Sequence, residues 1–280
     1  MQTRRFIQCD VFSPIPTQGN GLAVVVEAEG LSDAQYQNFA AWTNLAETTF
    51  LLPPTDSSAD YKVRIFTPSR EMPFAGHPTL GSCAAWLHAG GVPKQAGVVR
   101  QECGVGIVDI DISDEKYAFV APPTKIAPLP EQQFQALIEA LEISPQDVLR
   151  TVQLENGPVW QVLQLASAAQ VLAADSSRVR WPAFNSIGLI GAHSAGAECD
   201  YEVRMLAPSS GMSEDPITGS LNAALAHWMH ADGRLTGPVT VAQGTCMNRH
   251  GRVSIRPDRN RRSILIGGDT HIVIDGTVTL

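Results

Sequence analysis

Two pairs of matching sequence blocks, one block of each pair in either half of the chain, decide the fold. The first half contains Val63-Arg-Ile-Phe-Thr-Pro-Ser69, and the second half repeats it as Val203-Arg-Met-Leu-Ala-Pro-Ser209. Further along, His77-Pro-Thr-Leu-Gly-Ser82 is matched by Asp215-Pro-Ile-Thr-Gly-Ser220. The offsets are 203 − 63 = 140 and 215 − 77 = 138 residues, close to half of the 280-residue chain. Self-similarity at this spacing predicts a duplicated unit and therefore two similar lobes.

Each pair of blocks predicts a strand, a proline-containing loop and a helix. Because proline suits the first helical position, His77 and Asp215 are predicted to be the N-cap residues of the two helices. Helix N-termini offer unpaired N–H groups and about half a positive charge. If the two lobes place these N-termini in one cleft, the cleft is expected to bind a carboxylate.

Small residues surround both predicted helix starts. Gly76 precedes the first cap, and the pairs Gly81-Ser82 and Gly219-Ser220 fall in the first turns. Glycine lets a ligand approach the backbone closely, and a serine hydroxyl can donate a hydrogen bond to it. The alternative is that these small residues only allow the helices to pack tightly.

The rest of the chain alternates short strands with helices, which predicts an α/β (α+β) fold. A helix with Ser32 as its N-cap ends near Ala46, and a strand follows over Thr48–Leu52. Glu47 is therefore predicted to lie at a helix-to-strand junction.

The proline-rich segment 121–130 is the predicted linker between domains. It divides the chain into an N-terminal lobe of residues 1–122 and a C-terminal lobe of residues 123–269. The last strand, 270–280, is a candidate to join the N-terminal lobe.

Composition excludes several classes of function. The net charge of −8 disfavours nucleic acid as a partner, since the protein surface would repel phosphates. The five cysteines lack the spacing of a zinc site or a disulfide framework, which favours a reducing, cytoplasmic setting. The longest uncharged stretch, 72–93, contains three prolines and four glycines, so no membrane span is expected.

Two other patterns in the sequence resemble binding features. His227 and His230 have helical spacing, but no carboxylate cluster accompanies them, so a metal site is not predicted. Six arginines between Arg249 and Arg262 favour a solvated strand pair with a hairpin turn over Pro257-Asp-Arg-Asn260.

At these residues the chain closely resembles the PhzF-like family of phenazine biosynthesis, which has the diaminopimelate epimerase fold. The strings that carry the resemblance run through nearly the whole chain in the family's order. They are Asp10-Val-Phe12 with Gly19-Asn20-Gly-Leu-Ala-Val-Val25, Ala46-Glu-Thr-Thr-Phe50, Phe66-Thr-Pro68 with Pro73-Phe-Ala-Gly-His-Pro-Thr-Leu-Gly81, Glu214-Asp-Pro-Ile-Thr-Gly-Ser220, and Gln243-Gly244 with Gly251-Arg-Val-Ser254.

The resemblance implies two similar lobes related by a pseudo-two-fold axis, each with a curved, mainly antiparallel sheet around a central helix. It also implies an active site between the lobes and a homodimer. No cofactor and no metal are expected.

The resemblance also assigns catalytic residues. The glutamate matching Glu47 is the acid/base that removes and returns a proton, and the positions matching His77 and Asp215 line the substrate site. By its own chemistry, an imidazole at His77 can relay or return a proton, and a carboxylate at Asp215 can orient a polar substituent or an imidazole. Related epimerases carry cysteine at the two helix-start positions, which the block alignment assigns to His77 and Asp215. Cys83 is six residues further along its helix, so two-cysteine stereoinversion is not expected.

Substrate-binding residues follow in the same way. Ser220 lines the substrate site, and Gly76 and Gly219 match backbone donors. Asn20, in the first matching string, is the fourth substrate-binding candidate.

The first functional hypothesis is therefore a cofactor-independent isomerase that moves a proton between carbons of a small carboxylate-bearing substrate. A second is a racemase or epimerase that uses Glu47 with His77. A third is a small-anion binding protein that kept the fold without turnover, because fold alone does not establish catalysis.

Overall fold

The structure, a computed structural model, describes residues 2–210, 213–258 and 263–280. Within these ranges the chain forms eighteen strands and five α-helices. The predicted hairpin turn over 257–260 lies partly outside the described residues, as do Arg261 and Arg262.

The strands are numbered in chain order and range from two to ten residues in length. They are β1 (Thr3–Val11), β2 (Asn20–Val25), β3 (Glu47–Leu52), β4 (Tyr61–Phe66), β5 (Glu71–Met72), β6 (Val98–Cys103), β7 (Gly106–Asp111), β8 (Tyr117–Val120), β9 (Lys125–Ala127), β10 (Val148–Glu155), β11 (Val159–Leu165), β12 (Ser186–Ala192), β13 (Tyr201–Leu206), β14 (Glu214–Asp215), β15 (Val239–Gln243), β16 (Gly251–Asp258), β17 (Ser263–Gly268) and β18 (Thr270–Thr279).

The α-helices are likewise numbered in chain order. They are α1 (Asp33–Thr43), α2 (Gly76–His88), α3 (Glu131–Ala140), α4 (Ala168–Ala173) and α5 (Gly219–Ala231). Short 3-10 turns occur at Pro145–Asp147, Pro208–Ser210 and Thr245–Met247.

The chain divides into two compact units. The first unit consists of Met1–Val120 with Gly267–Leu280, and the second unit consists of Ala121–Ile266. The proline-rich segment expected to be an open linker contributes a strand, because β9 lies within it and pairs antiparallel with β10.

Both units have the same succession of strand pairings. In the first unit β1 and β2 are antiparallel, β2 and β3 are parallel, and β4 runs antiparallel to β3 and β5 but parallel to β6. In the second unit β10 and β11 are antiparallel, β11 and β12 are parallel, and β13 runs antiparallel to β12 and β14 but parallel to β15. This mixed α/β fold of mainly antiparallel sheet confirms the predicted class.

A long helix forms the centre of each unit. Every residue of α2 from Gly76 to Ala85 is buried, and α5 is buried along most of its length. A Cβ at Gly81 would come within 2.5 Å of the Leu22 side chain on β2, so the small residue is needed for close packing. The alternative interpretation of tight packing therefore holds for Gly81. Ser82 is also structural, because its hydroxyl donates to Thr49 Oγ1 at 2.9 Å.

A second helix packs against the strands of each unit. In the first unit Tyr36 and Phe39 of α1 pack against Phe50 and Phe66. The predicted N-cap Ser32 is confirmed and forms a capping box, although α1 ends at Thr43 rather than near residue 46. In the second unit α3 packs against β11 and β12 in the same way.

Two global features complete the fold. No helix in the described part of the chain is both long and apolar enough to cross a membrane. Across residues 2–210, 213–258 and 263–280, no three His, Cys, Asp or Glu side chains are grouped so as to hold a metal ion.

Candidate active site

In the first unit, the helix that carries His77 begins two residues earlier than predicted. The first helical residue is Gly76, and the N-cap is Ala75, whose backbone is extended. His77 is therefore the second residue of α2 and not its cap. Pro78 follows as the third residue, which is allowed because the first four N–H groups of a helix have no intrahelical partner.

In the second unit, the predicted cap is also wrong. Asp215 lies in β14, where it pairs with Met205, and α5 begins only at Gly219 with Thr218 as its N-cap. The ladder with β13 keeps Asp215 in extended backbone. The preference of proline for the first helical turn is therefore not decisive here.

These helix starts correct the register of the internal repeat. Gly76 and Gly219 are the first helical residues, at an offset of 219 − 76 = 143, and Met72 and Asp215 end the preceding strands at 215 − 72 = 143. His77 consequently corresponds to Ser220, not to Asp215 as the block alignment indicated. His77 and Ser220 are thus the second residues of α2 and α5.

Glu47 is the first residue of β3 and lies beside Leu22 of the parallel strand β2. Helix α1 ends just before it, with Asn44 in the left-handed conformation at φ 54°. The hydroxyls of Thr43 and Thr48 are 2.7 Å apart, which ties the end of the helix to the start of the strand. The Glu47 side chain is 17% exposed.

The first unit brings three candidate residues together. Glu47 Oε2 lies 3.5 Å from Nε2 of His77, and Asn20 Nδ2 lies 3.4 Å from Nδ1 of the same ring. Asn20 begins β2, so the start of one strand, the start of another and the first turn of α2 meet at the imidazole. Gly76 is the helical residue that precedes it.

Burial controls the charge of His77. The residue is 4% exposed, and desolvation lowers the pKa of His77 to about 3, against a smaller opposing effect of a backbone hydrogen bond with Gly21. The imidazole is therefore neutral near pH 7. Its contact with Glu47 is then that of a neutral ring beside a carboxyl group, which suits proton transfer better than a fixed ion pair.

The second unit surrounds Asp215 with hydrogen bonds. Thr218 Oγ1 donates to Asp215 Oδ2 at 2.5 Å, and Gln243 Nε2 donates to the Asp215 carbonyl at 3.3 Å. Asp215 is buried, so its carboxylate is held in place by these neighbours.

The residue before Asp215 anchors the same short strand. Arg204 donates to Glu214 through Nε and Nη2, with an Nη2–Oε2 distance of 2.8 Å, and both side chains are buried. Arg204 Nη1 also donates to the carbonyl of Ala174 at 2.7 Å. The ion pair fixes the course of β14 beside β13.

Ser220 and Gly219 occupy the first turn of α5. The carbonyl of Ser220 accepts a hydrogen bond from Asn156 Nδ2 at 2.8 Å, and Asn156 Oδ1 in turn accepts from Trp160 Nε1. This contact fixes the backbone of the turn.

Sequence reasoning missed two residues near Asp215. Thr218 and Gln243 both lie in strings quoted for the family resemblance, but no role was attached to them. Their place in those strings is the sequence feature that could have identified them. The contacts of Gln243 with Asp215 and Thr218 join distant parts of the chain, so the neighbouring residues do not reveal them.

Neither the cysteine pattern nor the histidine pair adds to this site. Cys83 is buried on α2, and burial raises the pKa of its thiol well above the usual value, so it is unsuited to act as a base. His227 Nε2 lies 3.4 Å from the carbonyl of Ala121, away from the candidate residues of its own helix start.

The chain is similar to known proteins over nearly its whole length. The sequence signature of the family described as "Phenazine biosynthesis-like protein" (PhzC-PhzF) matches residues 9–276. The Schizosaccharomyces pombe protein "Antisense-enhancing sequence 1" is 34% identical, with 99% of each chain covered. The trans-2,3-dihydro-3-hydroxyanthranilate isomerase of Pseudomonas fluorescens is 30% identical, with 87% of each chain covered.

The fold has a close counterpart among solved structures. The crystal structure of a PhzF-family phenazine biosynthesis protein from Bacillus anthracis superposes with a TM-score of 0.84 over 100% of both chains, at 22% identity. The family match over residues 9–276, together with the relative that is 34% identical over 99% of each chain, shows that the chain belongs to the phenazine biosynthesis-like (PhzC-PhzF) family, a family of isomerases.

Proposed function

We propose that this protein is a cofactor-independent isomerase that moves a proton between carbons of a small carboxylate-bearing substrate, with Glu47 as the acid/base. The observation that carries the proposal is the 3.5 Å approach of Glu47 Oε2 to Nε2 of a buried, neutral His77. A positioned carboxylate that takes up and returns a proton typically contributes about 10²–10⁴-fold to the rate.

The neutral imidazole has a definite use in this scheme. An imidazolium next to Glu47 would hold the carboxylate as an ion pair and weaken it as a base. A neutral ring can pass a proton through one nitrogen, so Glu47 removes the substrate proton and His77 assists its return. The transfer changes no oxidation state, so it requires no electron carrier.

Binding roles are assigned in this proposal to residues within each unit. Asp215 orients a polar substituent, and Ser220 with the backbone N–H of Gly219 binds the carboxylate at the start of α5. In the first unit Asn20 and the backbone of Gly76 have the corresponding binding role. Hydrogen bonds to a developing enolate are often worth about 3 kcal/mol per well-placed donor.

Solvent exchange tests the proposal directly. Candidate carboxylates are incubated in D2O with the wild type, and C–H exchange is followed by NMR. Trans-2,3-dihydro-3-hydroxyanthranilate is the first compound to test, because the name of a relative contains it. Other small cyclic amino carboxylates are tested next. The wild type is expected to catalyse exchange at a carbon of at least one compound that it binds.

The variant Glu47→Gln keeps the size of the side chain and removes its basicity. We expect exchange to fall by about 10³-fold while binding is retained. Glu139→Gln, at a largely exposed position on α3, is the matched control and should exchange like the wild type. Equal exchange in wild type and Glu47→Gln would remove Glu47 from its role, and bound compounds that never exchange would favour a binding protein.

The same experiment separates isomerisation from racemisation. Neither helix start carries a cysteine, since α2 begins with Gly76-His77 and α5 begins with Gly219-Ser220. An isomerase moves the proton to another carbon and changes the bonding pattern, whereas a racemase returns it to the same carbon with inverted configuration. Stereochemical analysis of the product distinguishes the two outcomes.

We also propose that the protein acts as a homodimer. Size-exclusion chromatography with light scattering is expected to give twice the mass of one chain, and a mass of one chain would contradict this.

A further inference from the structure

We propose that Gln243 is a positioning residue for Asp215, acting through the hydroxyl of Thr218. The inference rests on the proposed role of Asp215 in the reaction. The basis is a set of hydrogen bonds in which the buried side-chain amide of Gln243 determines the direction of the Thr218 hydroxyl proton.

The amide of Gln243 uses all of its hydrogen-bonding capacity. Oε1 accepts from the backbone N–H of Thr218 at 3.1 Å and from Asn222 Nδ2 at 2.9 Å. Nε2 donates to Thr218 Oγ1 at 3.0 Å and to the Asp215 carbonyl at 3.3 Å. Gln243 is fully buried, so water does not compete for these bonds.

These partners fix the orientation of the amide. Rotating it by 180° would place its NH2 group against two N–H donors, the backbone of Thr218 and the side chain of Asn222. Each buried donor left without an acceptor costs about 1–3 kcal/mol. The orientation with Oε1 toward α5 is therefore strongly preferred.

The fixed amide in turn directs the Thr218 hydroxyl. Because Thr218 Oγ1 accepts a hydrogen bond from Gln243, its single proton is available for another acceptor. That acceptor is Asp215 Oδ2, at 2.5 Å. Gln243 thus holds Asp215 at two points, directly at its carbonyl and indirectly at its carboxylate.

This clamp explains how Asp215 is held outside any long element. Its strand has only two residues, and α5 begins four residues later. The ion pair between Arg204 and Glu214 fixes the first of the two strand residues. Gln243, from β15, fixes the second.

The first unit provides a matched control for the experiment. Gln101 on β6 is also fully buried and also contacts the central helix, since its Nε2 donates to Thr79 Oγ1 at 3.1 Å. Its Oε1 accepts from Tyr61 at 2.8 Å. A substitution at Gln101 therefore removes an equally buried side-chain amide from the corresponding strand of the first unit. The hydrogen bonds that it breaks do not involve Asp215.

The titration of Asp215 measures the clamp without any substrate. The carboxyl carbons of aspartate are labelled with ¹³C and followed by NMR against pH, with Asp215→Asn to assign the signal. In Thr218→Val and in Gln243→Met the midpoint for Asp215 is expected to rise by about one pH unit, since a directed hydrogen bond to the charged form is lost. In Gln101→Met it should stay at the wild-type value.

A double variant tests whether the two residues act in series. If Gln243 works through Thr218, the combination of Gln243→Met with Thr218→Val should shift the midpoint no further than Thr218→Val alone. Thr218→Ser keeps the hydroxyl and should restore the wild-type midpoint. The proposal is overturned if Gln243→Met shifts Asp215 no more than Gln101→Met does, or if the two shifts add.

If Gln243→Met does not fold, Gln243→Glu serves in its place. It keeps the Oε1 acceptor and replaces the donating nitrogen by oxygen, so it should raise the same midpoint. The absence of a rise would also overturn the proposal.

Exchange kinetics then connect the clamp to the reaction. In the D2O assay, kcat for Gln243→Met is expected to fall about tenfold because Asp215 is no longer held in place, with KM changed less. Gln101→Met should keep the wild-type kcat, and an equal fall in both would overturn the positioning role. If no compound exchanges even with the wild type, the proposed function fails, while the titration still decides the relay between Gln243 and Asp215.

Discussion

At the scale of single residues, the burial of His77 links the stability of the protein to pH. The pKa of His77 is lowered to about 3 in the folded state by desolvation, whereas an unfolded histidine titrates near 6.5. Between these values the unfolded state binds more protons, so stability rises with pH and is lost as the pH falls below about 6.5.

This gives a measurable prediction for His77→Gln. Between pH 7 and pH 5 the buried histidine should cost the wild type about 2 kcal/mol of unfolding free energy, a loss that His77→Gln lacks. Urea denaturation at the two pH values measures the difference. Burial also lowers the pKa of His227, but that residue is present in both proteins and cancels. Identical pH dependence in both proteins would contradict the prediction.

The two arginine–glutamate pairs of the repeat predict contrasting mutational effects. Arg204 and Glu214 are both buried, whereas Glu71, the partner of Arg64 in the first unit, is 43% exposed. Glu214→Ala leaves a buried guanidinium without its carboxylate and should cost about 3–5 kcal/mol. Glu71→Ala should cost within about 1 kcal/mol. Denaturant titration checks both, and similar losses would show that burial does not decide the outcome.

At the scale of elements, the loop before β2 controls the position of Asn20. Gly19 donates its backbone N–H to Asp10 Oδ2 at 2.8 Å, and a Cβ there would lie 2.3 Å from the carbonyl oxygen of Val11. A backbone atom cannot move aside as the end of a side chain can. The loop must therefore shift in any variant with a side chain at Gly19.

We therefore expect Gly19→Ala to lose isomerase activity more than stability. Displacement of Asn20 should cost at least about tenfold in exchange rate, because small misplacements in a site have large effects. Gly276→Ala is the matched control in β18, since its Cβ would meet no atom within 4 Å, and it should behave like the wild type. Full activity of Gly19→Ala in the D2O assay would contradict the prediction.

The helix starts mark the limit of sequence reasoning at this scale. The repeated blocks correctly predicted a strand, a loop and a helix in each half, and Ser32 was correctly placed as a cap. The block that begins at Asp215 was aligned with His77 at an offset five residues shorter than the one in the structure. The reason is that Asp-Pro resembles an N-cap followed by the first residue of a helix. Pairing of Asp215 with β13 and the clamp by Gln243 override that local preference, and neither can be read from neighbouring residues.

In the candidate site, too, some residues can be found from sequence motifs and others only from the fold. The motifs singled out Glu47 and His77, and the structure brings the two side chains within 3.5 Å of each other. The roles of Thr218 and Gln243 depend on contacts across 25 residues of chain, which only the folded arrangement specifies.

At the scale of the whole molecule, the last strand belongs to the first unit. β18 pairs antiparallel with β1 from Thr3↔Thr279 to Val11↔Thr270, and β1 is also the neighbour of β2. Removing β18 would leave the backbone of β1 without one of its two partners and expose an edge strand.

Deletion of residues 270–280 should therefore prevent the first unit from reaching its native fold. Amide hydrogen exchange is expected to show loss of protection in β1 and β2, with protection retained in β10 and β11 of the second unit. Deletion of 279–280 alone removes only the end of the ladder and is the control. Native protection of β1 in the longer deletion would contradict this assignment.

The return of β18 also has a consequence for synthesis on the ribosome. The second unit is made from one uninterrupted segment of the nascent chain, so all of its strands leave the ribosome before β18 does. The first unit begins to emerge earlier but lacks its closing strand until β18 leaves the exit tunnel. The half of the protein that is translated first is therefore completed last, and during that interval the β1 edge is open to chaperones and to other nascent chains.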